Sequence, residues 1–139
     1  MLLTIDTGNT ETVLGLFEGT SLVSHWRLST NAERTSDEHA MVVSQLLDLE
    51  GYAFEEQVTG IAVSSTVPTL TTTLRQMATR WFSGVKTIVL EPGVRTGMPI
   101  LYDNPKEVGA DRIANAVGTF EMYGGPAICV DFGTATTFD

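Results

Sequence analysis

Residues 2–17 read LLTIDTGNTETVLGLF, and this stretch decides the fold. An apolar run at 2–5 stops at Asp6, a Gly8-Asn9 turn follows, and a second apolar run occupies 13–17. Two apolar runs closed by such a turn predict a strand, a tight turn and a strand. Thr7, Asn9, Thr10 and Thr12 furnish the turn with hydroxyls and an amide. Gly8, with no β-carbon, lets backbone N–H groups approach a ligand closely. A carboxylate at a strand end beside such a turn suits a metal–phosphate group, and an ordinary hairpin explains the stretch equally well.

A second copy tilts the balance. Residues 127–137 read AICVDFGTATT, again an apolar run that enters an aspartate, then a glycine, then hydroxyl residues. Asp6, Gly8 and Thr12 align with Asp131, Gly133 and Thr137 as Asp-x-Gly-x-x-x-Thr. The copies are one small domain apart in sequence. The expectation is a duplicated phosphate-gripping unit, whose two loops would clamp a nucleotide's phosphates from both sides.

A chain of 139 residues suffices for one domain with a core, and 42% hydrophobic against 18% charged residues fits a globular protein. No apolar run approaches the length of a membrane span and no leader-like segment opens the chain, so a cytoplasmic protein with no membrane partner is expected. The net charge of −9, with eight Lys and Arg residues and no basic stripe, argues against a nucleic-acid partner. Nucleotide binding is compatible with that charge, because it depends on the local field and on metal ions. Cys129 lies within the apolar run and is expected in the core. One cysteine and two separated histidines speak against a zinc site.

Further along, residues 22–28 predict a third strand that completes a meander, with Leu22, Trp26 and Leu28 on one face and His25 on the other. Thr35 and Glu38 form a capping box for a helix ending at Gly51, with Val42, Val43, Leu46 and Leu47 facing the core. His39, in its first turn, is expected in solvent. A short strand at 61–63 precedes a helix opened by Pro68, on which Leu70, Leu74, Met77, Ala78 and Trp81 share one buried face. A strand at 87–90 and a long loop to Asn104 follow. Asn104 as N-cap, Pro105 and Glu107 predict the start of the last helix, which stops at Gly124-Gly125. Asp111, Asn115 and Gly118 share one of its faces. Glycines at 109 and 118 would each cost about 1 kcal/mol inside a helix, which suggests that something large approaches there.

The order β-β-β-α-β-α-β-α, followed by one further strand, resembles the ribonuclease-H-like fold of actin, the sugar kinases and the Hsp70 ATPase. That resemblance implies an α/β, actin-like ATPase domain: a three-strand antiparallel meander, then βα units, in a mixed sheet with helices on both faces. Residues 1–125 would form the first domain. Residues 126–139 would be the first strand and phosphate loop of a second, truncated domain of the same fold, with 136–139 an unpaired strand.

Five segments in order are similar to the type III pantothenate kinases: DTGNT at 6–10, HWRLST at 25–30 with RTSDE at 34–38, VSSTVP at 63–68, PGVRTGMPILYDNPKEVGADR at 92–112, and DFGTATTFD at 131–139. Thr7 stands where that family commonly has Val, and Glu11 at a position that varies. The resemblance implies ATP-dependent phosphorylation of pantothenate, the first step of coenzyme A synthesis, by a homodimer using ATP, Mg²⁺ and a monovalent cation (K⁺ or NH₄⁺). Asp6, Thr7, Gly8, Asn9, Thr10, Glu11, Thr12 and Val13 would hold the phosphates, with Asp6 oriented toward Mg²⁺ through water. Thr134 would contact ATP, and Asp131 would ligate K⁺. Tyr102, Gly109, Ala110, Asp111 and Arg112 would form the pantothenate site, with Asp111 as general base and Arg112 suited to a carboxylate or phosphate. The family's chains are about twice as long, so this chain alone is expected to be inactive. A non-catalytic binding or regulatory member of the same superfamily is the alternative, although such a protein has no need of the base at Asp111.

Overall fold

A computed structural model describes residues 1–139 as two compact units, Met1–Val89 and Leu90–Asp139. The first contains β1 (Leu2–Thr7), β2 (Glu11–Glu18), β3 (Ser21–Ser29), α1 (Ser36–Leu49), a short α2 (Phe54–Gln57), β4 (Gly60–Ser65), α3 (Pro68–Trp81) and β5 (Lys86–Val89). The strands form one sheet in the order β3-β2-β1-β4-β5. β1 is antiparallel to β2 and parallel to β4, which is parallel to β5. This meander followed by βα units is the ribonuclease-H-like arrangement.

Strand alternation sets the core. Leu3 and Ile5 lie opposite Leu16 and Leu14 of β2 and beside Ile61 and Val63 of β4, and all six are buried. Ala40, Val43 and Leu47 of α1 and Leu74, Met77 and Ala78 of α3 join the same cluster. Each fully buried leucine or isoleucine contributes roughly 1.5–3 kcal/mol. The other parity of β1 holds Thr4 and Asp6. Asp6 therefore leaves the core at the strand's end, in register with Val13 and Ser64.

The capping box forms: Thr35 N donates to Glu38 Oε2 at 2.7 Å, and Glu38 N donates to Thr35 Oγ1 at 3.3 Å. Two expectations in this unit need correction. His39 is buried, because 39, 43 and 47 fall on one helical stripe. Its Nε2 has no hydrogen-bond partner, and burial, aided by the Arg34 charge, pushes its pKa down to about 4. Trp81 is half exposed at the edge of its helix face, and its indole N–H donates to Asp37 Oδ1 at 2.8 Å. The short α2 has no sequence signal longer than one turn; it is held by Phe54, which stacks on Phe82 with ring centroids 3.8 Å apart.

The second unit contains a 3₁₀ turn at Pro105–Glu107, α4 (Ala110–Tyr123), β6 (Val130–Phe132) and β7 (Thr136–Phe138). The Asn104 cap is real, but it starts the 3₁₀ turn and not the long helix. Val108 and Gly109 stay extended, so α4 begins only at Ala110, with Gly109 as N-cap. Residues 136–138 are not unpaired: β7 pairs antiparallel with β6 in a hairpin. The apolar run at 127–129 lies outside the strand, and Cys129 is half-buried rather than in a core. No helix in the chain is long and apolar enough to cross a membrane.

Candidate active site

In the first unit the turn between β1 and β2 is closed by Gly8 N donating to Glu11 O at 2.9 Å. A β-carbon on residue 8 would sit 3.3 Å from that same oxygen, so the bare glycine fits the tight return. Thr30, just beyond β3, fastens the turn from the side. Its N–H donates to Thr10 O at 2.9 Å and its hydroxyl to Gly8 O at 2.8 Å. Thr12 and Thr7, paired across the strands, are buried; the Thr12 hydroxyl lies 3.0 Å from that of Thr30 and 3.5 Å from that of Thr7.

The hydroxyls of Thr7 and Thr12 thus face inward as part of the scaffold, while Asp6, Asn9, Thr10 and Glu11 are exposed and Val13 is half-buried. Glu11 pairs with Arg27 at 2.8 Å, which offsets the negative charge that it brings to the turn. At the end of β4, Thr66 donates to Thr7 O from its N–H at 2.9 Å and from its hydroxyl at 3.3 Å. Ser64, the register partner of Asp6, keeps a buried hydroxyl without a partner. Sequence reasoning missed Thr30 and Ser64. Their only signal was a hydroxyl residue at the end of a strand adjoining the turn.

In the second unit the first turn of α4 carries Ala110, Asp111 and Arg112. Ala110 is buried and anchors the turn, and Asp111 is half-buried where the helix dipole favours a carboxylate. Asp111 Oδ1 folds back over Gly109, into space that a β-carbon there would need. Arg112 does not pair with Glu107. Its Nε donates to the Asp139 carboxylate and its Nη2 to Phe138 O at 3.0 Å, and the Asp139 bond raises its pKa further.

Beside it lies a pocket of about 270 Å³ whose walls include Tyr102, Val108, Arg112, Ile113, Val117 and Asp139. Tyr102 is half exposed at its mouth. One α4 turn further on, Asn115 donates to Asp131 Oδ2 at 3.2 Å, fixing the carboxylate that ends the second apolar run. Thr134 is exposed in the β6–β7 turn, which Gly133 N closes onto Ala135 O at 3.1 Å. Of the expected residues, then, Tyr102 and Arg112 share a pocket, and Asp131 is tied to α4.

The sequence profile of the type III pantothenate kinases matches residues 2–139. The chain belongs to the type III pantothenate kinase family. Relatives of that name from Streptomyces avermitilis and Streptomyces griseus are 57% and 56% identical over the whole chain, and one from Acidothermus cellulolyticus is 54% identical. In each case the match covers 54% of the relative, so this pantothenate kinase family chain spans about half the length of the relatives it matches.

Proposed function

We propose that this chain supplies the phosphate turn, the general base and the acceptor pocket of a cytoplasmic, homodimeric enzyme that phosphorylates pantothenate with ATP. The observation that carries the proposal is the first turn of α4. Asp111 is seated over Gly109, and the next residue, Arg112, turns its guanidinium into a largely apolar pocket. Pantothenate has an anionic end and a primary hydroxyl; the pocket offers the Arg112 cation, and Asp111 precedes it in the same helical turn. Asp111 takes the hydroxyl's proton as the oxygen attacks the γ-phosphorus of ATP, whose bond to the β,γ-bridging oxygen breaks to release ADP. Arg112 holds the carboxylate end.

Phosphoryl transfer asks the protein mainly for alignment and charge compensation. The backbone N–H groups and exposed side chains of the 6–13 turn, together with Thr134, would grip the phosphates. Residues 1–125 would be the first domain and 126–139 the opening of a second. Asp6, near the end of β1, and Asp131, in β6, are hard oxygen donors, the donor type that Mg²⁺ and K⁺ take, and the hydrogen bond from Asn115 presets Asp131. Asp6 would hold Mg²⁺ through water and Asp131 the monovalent cation. When bound, these ions offset the charge of the phosphates.

The test is transfer of ³²P from labelled ATP to pantothenate. The chain alone is expected to be inactive. The chain extended to family length with the matching remainder of the Streptomyces avermitilis relative is expected to turn over. An extended protein that folds, binds ATP and leaves pantothenate unphosphorylated would refute the proposal.

A further inference from the structure

We infer that Asp139 is a ligand-binding residue of the α4 pocket, accepting a hydrogen bond from the amide N–H of the bound acceptor while it aims Arg112 at the carboxylate. The inference rests on the pantothenate reading above and deepens it. The Asp139 side chain is only 5% exposed. Its Oδ1 takes the Arg112 Nε–H, but its Oδ2 is buried with no partner. Asp139 lines the pocket, so this buried acceptor stands where a bound ligand can donate to it.

The accounting at Arg112 points the same way. Of its five N–H donors, Nε serves Asp139 and one on Nη2 serves Phe138 O, which leaves two on Nη1 and one on Nη2 for a ligand. The pocket thus presents a cationic donor and an anionic acceptor side by side, between the apolar walls of Val108, Ile113 and Val117. The β-alanine end of pantothenate carries the complementary set: a carboxylate, two methylenes and an amide N–H. The carboxylate meets Arg112, the methylenes meet the apolar walls, and the N–H meets Asp139 Oδ2.

The test is calorimetric titration of the family-length protein described above with pantothenate and with the analogue in which an ester oxygen replaces the amide N–H. The ester presents an oxygen to a carboxylate and should bind about tenfold or more weakly. In Asp139→Ala the two ligands should bind within about threefold of each other. A merely structural role would weaken both ligands equally and leave their ratio unchanged. Asp139→Asn, which keeps the shape, should show an intermediate ratio, and it carries the comparison if the alanine variant does not fold. Equal binding of the two ligands by the unaltered family-length protein, or an undiminished ratio in the variants, overturns the role of Asp139 alone. Failure of the family-length protein to bind pantothenate overturns the pantothenate reading and this inference with it.

Discussion

The carboxylate of Asp111 occupies the space that a β-carbon on Gly109 would require. A side chain at 109 would push the carboxylate off the α4 N-terminus, although the backbone there is one that any residue adopts (φ −62°, ψ 150°). Gly109→Ala in the family-length enzyme is therefore expected to lower kcat by about tenfold or more, since misplacing a base by an ångström is expensive. The thermal midpoint should stay within a few degrees. Unchanged kcat would show that the carboxylate does not need that seat.

Asp111→Asn keeps the side chain's shape and removes its basicity. Turnover is expected to fall by about 10²–10⁴, the usual contribution of a positioned base. Circular dichroism and pantothenate affinity should be close to those of the parent. Wild-type turnover in this variant would remove Asp111 from its role.

Thr30 fastens the β1–β2 turn through Gly8 and Thr12. Thr30→Val removes the hydroxyl at constant volume and is expected to destabilise the chain by about 1–2 kcal/mol in urea unfolding. Amide exchange at Gly8, whose N–H closes the turn, should accelerate, and KM for ATP should rise more than KM for pantothenate. Unaltered exchange at Gly8 would mean that the turn holds its shape without this residue.

His39 is protonated readily in the unfolded chain, with its ordinary pKa of 6.5, but only near pH 4 in the folded one. Between those values the unfolded state binds more protons, so stability attributable to His39 is complete above about pH 6.5 and is lost as pH falls toward 4. Urea midpoints measured from pH 7 to 4 should fall less steeply in His39→Leu than in the parent. Parallel curves would show that the buried imidazole is not responsible.

Much of the first unit was legible because its elements are written in hydrophobic period. Leu3, Ile5, Leu14 and Leu16 alternate, and Thr35 with Glu38 marks the start of α1. His39 escaped because residue type was weighed above position: a histidine reads as polar, yet it stands four residues before Val43 on the buried stripe. The start of α4 escaped for a different reason. Asn104 and Pro105 are sound cap chemistry, but a 3₁₀ turn uses the same donors and acceptors as a first helical turn, so composition alone does not separate them. The hairpin of β6 and β7 depends on a local pairing that the repeat Asp-x-Gly-x-x-x-Thr signals only as a turn. At the site, the residue types were readable and their orientations were not. Nothing in DTGNTET states that Thr7 and Thr12 look inward while Asn9 and Thr10 look out.

That inward row of hydroxyls, Thr7, Thr12 and Thr30, has a thermodynamic consequence. The loop acquires its shape while the sheet assembles, so the entropy of ordering it is charged to folding and not to nucleotide capture. On the proposed reading, a triphosphate meeting this preset turn would lose little affinity to loop immobilisation.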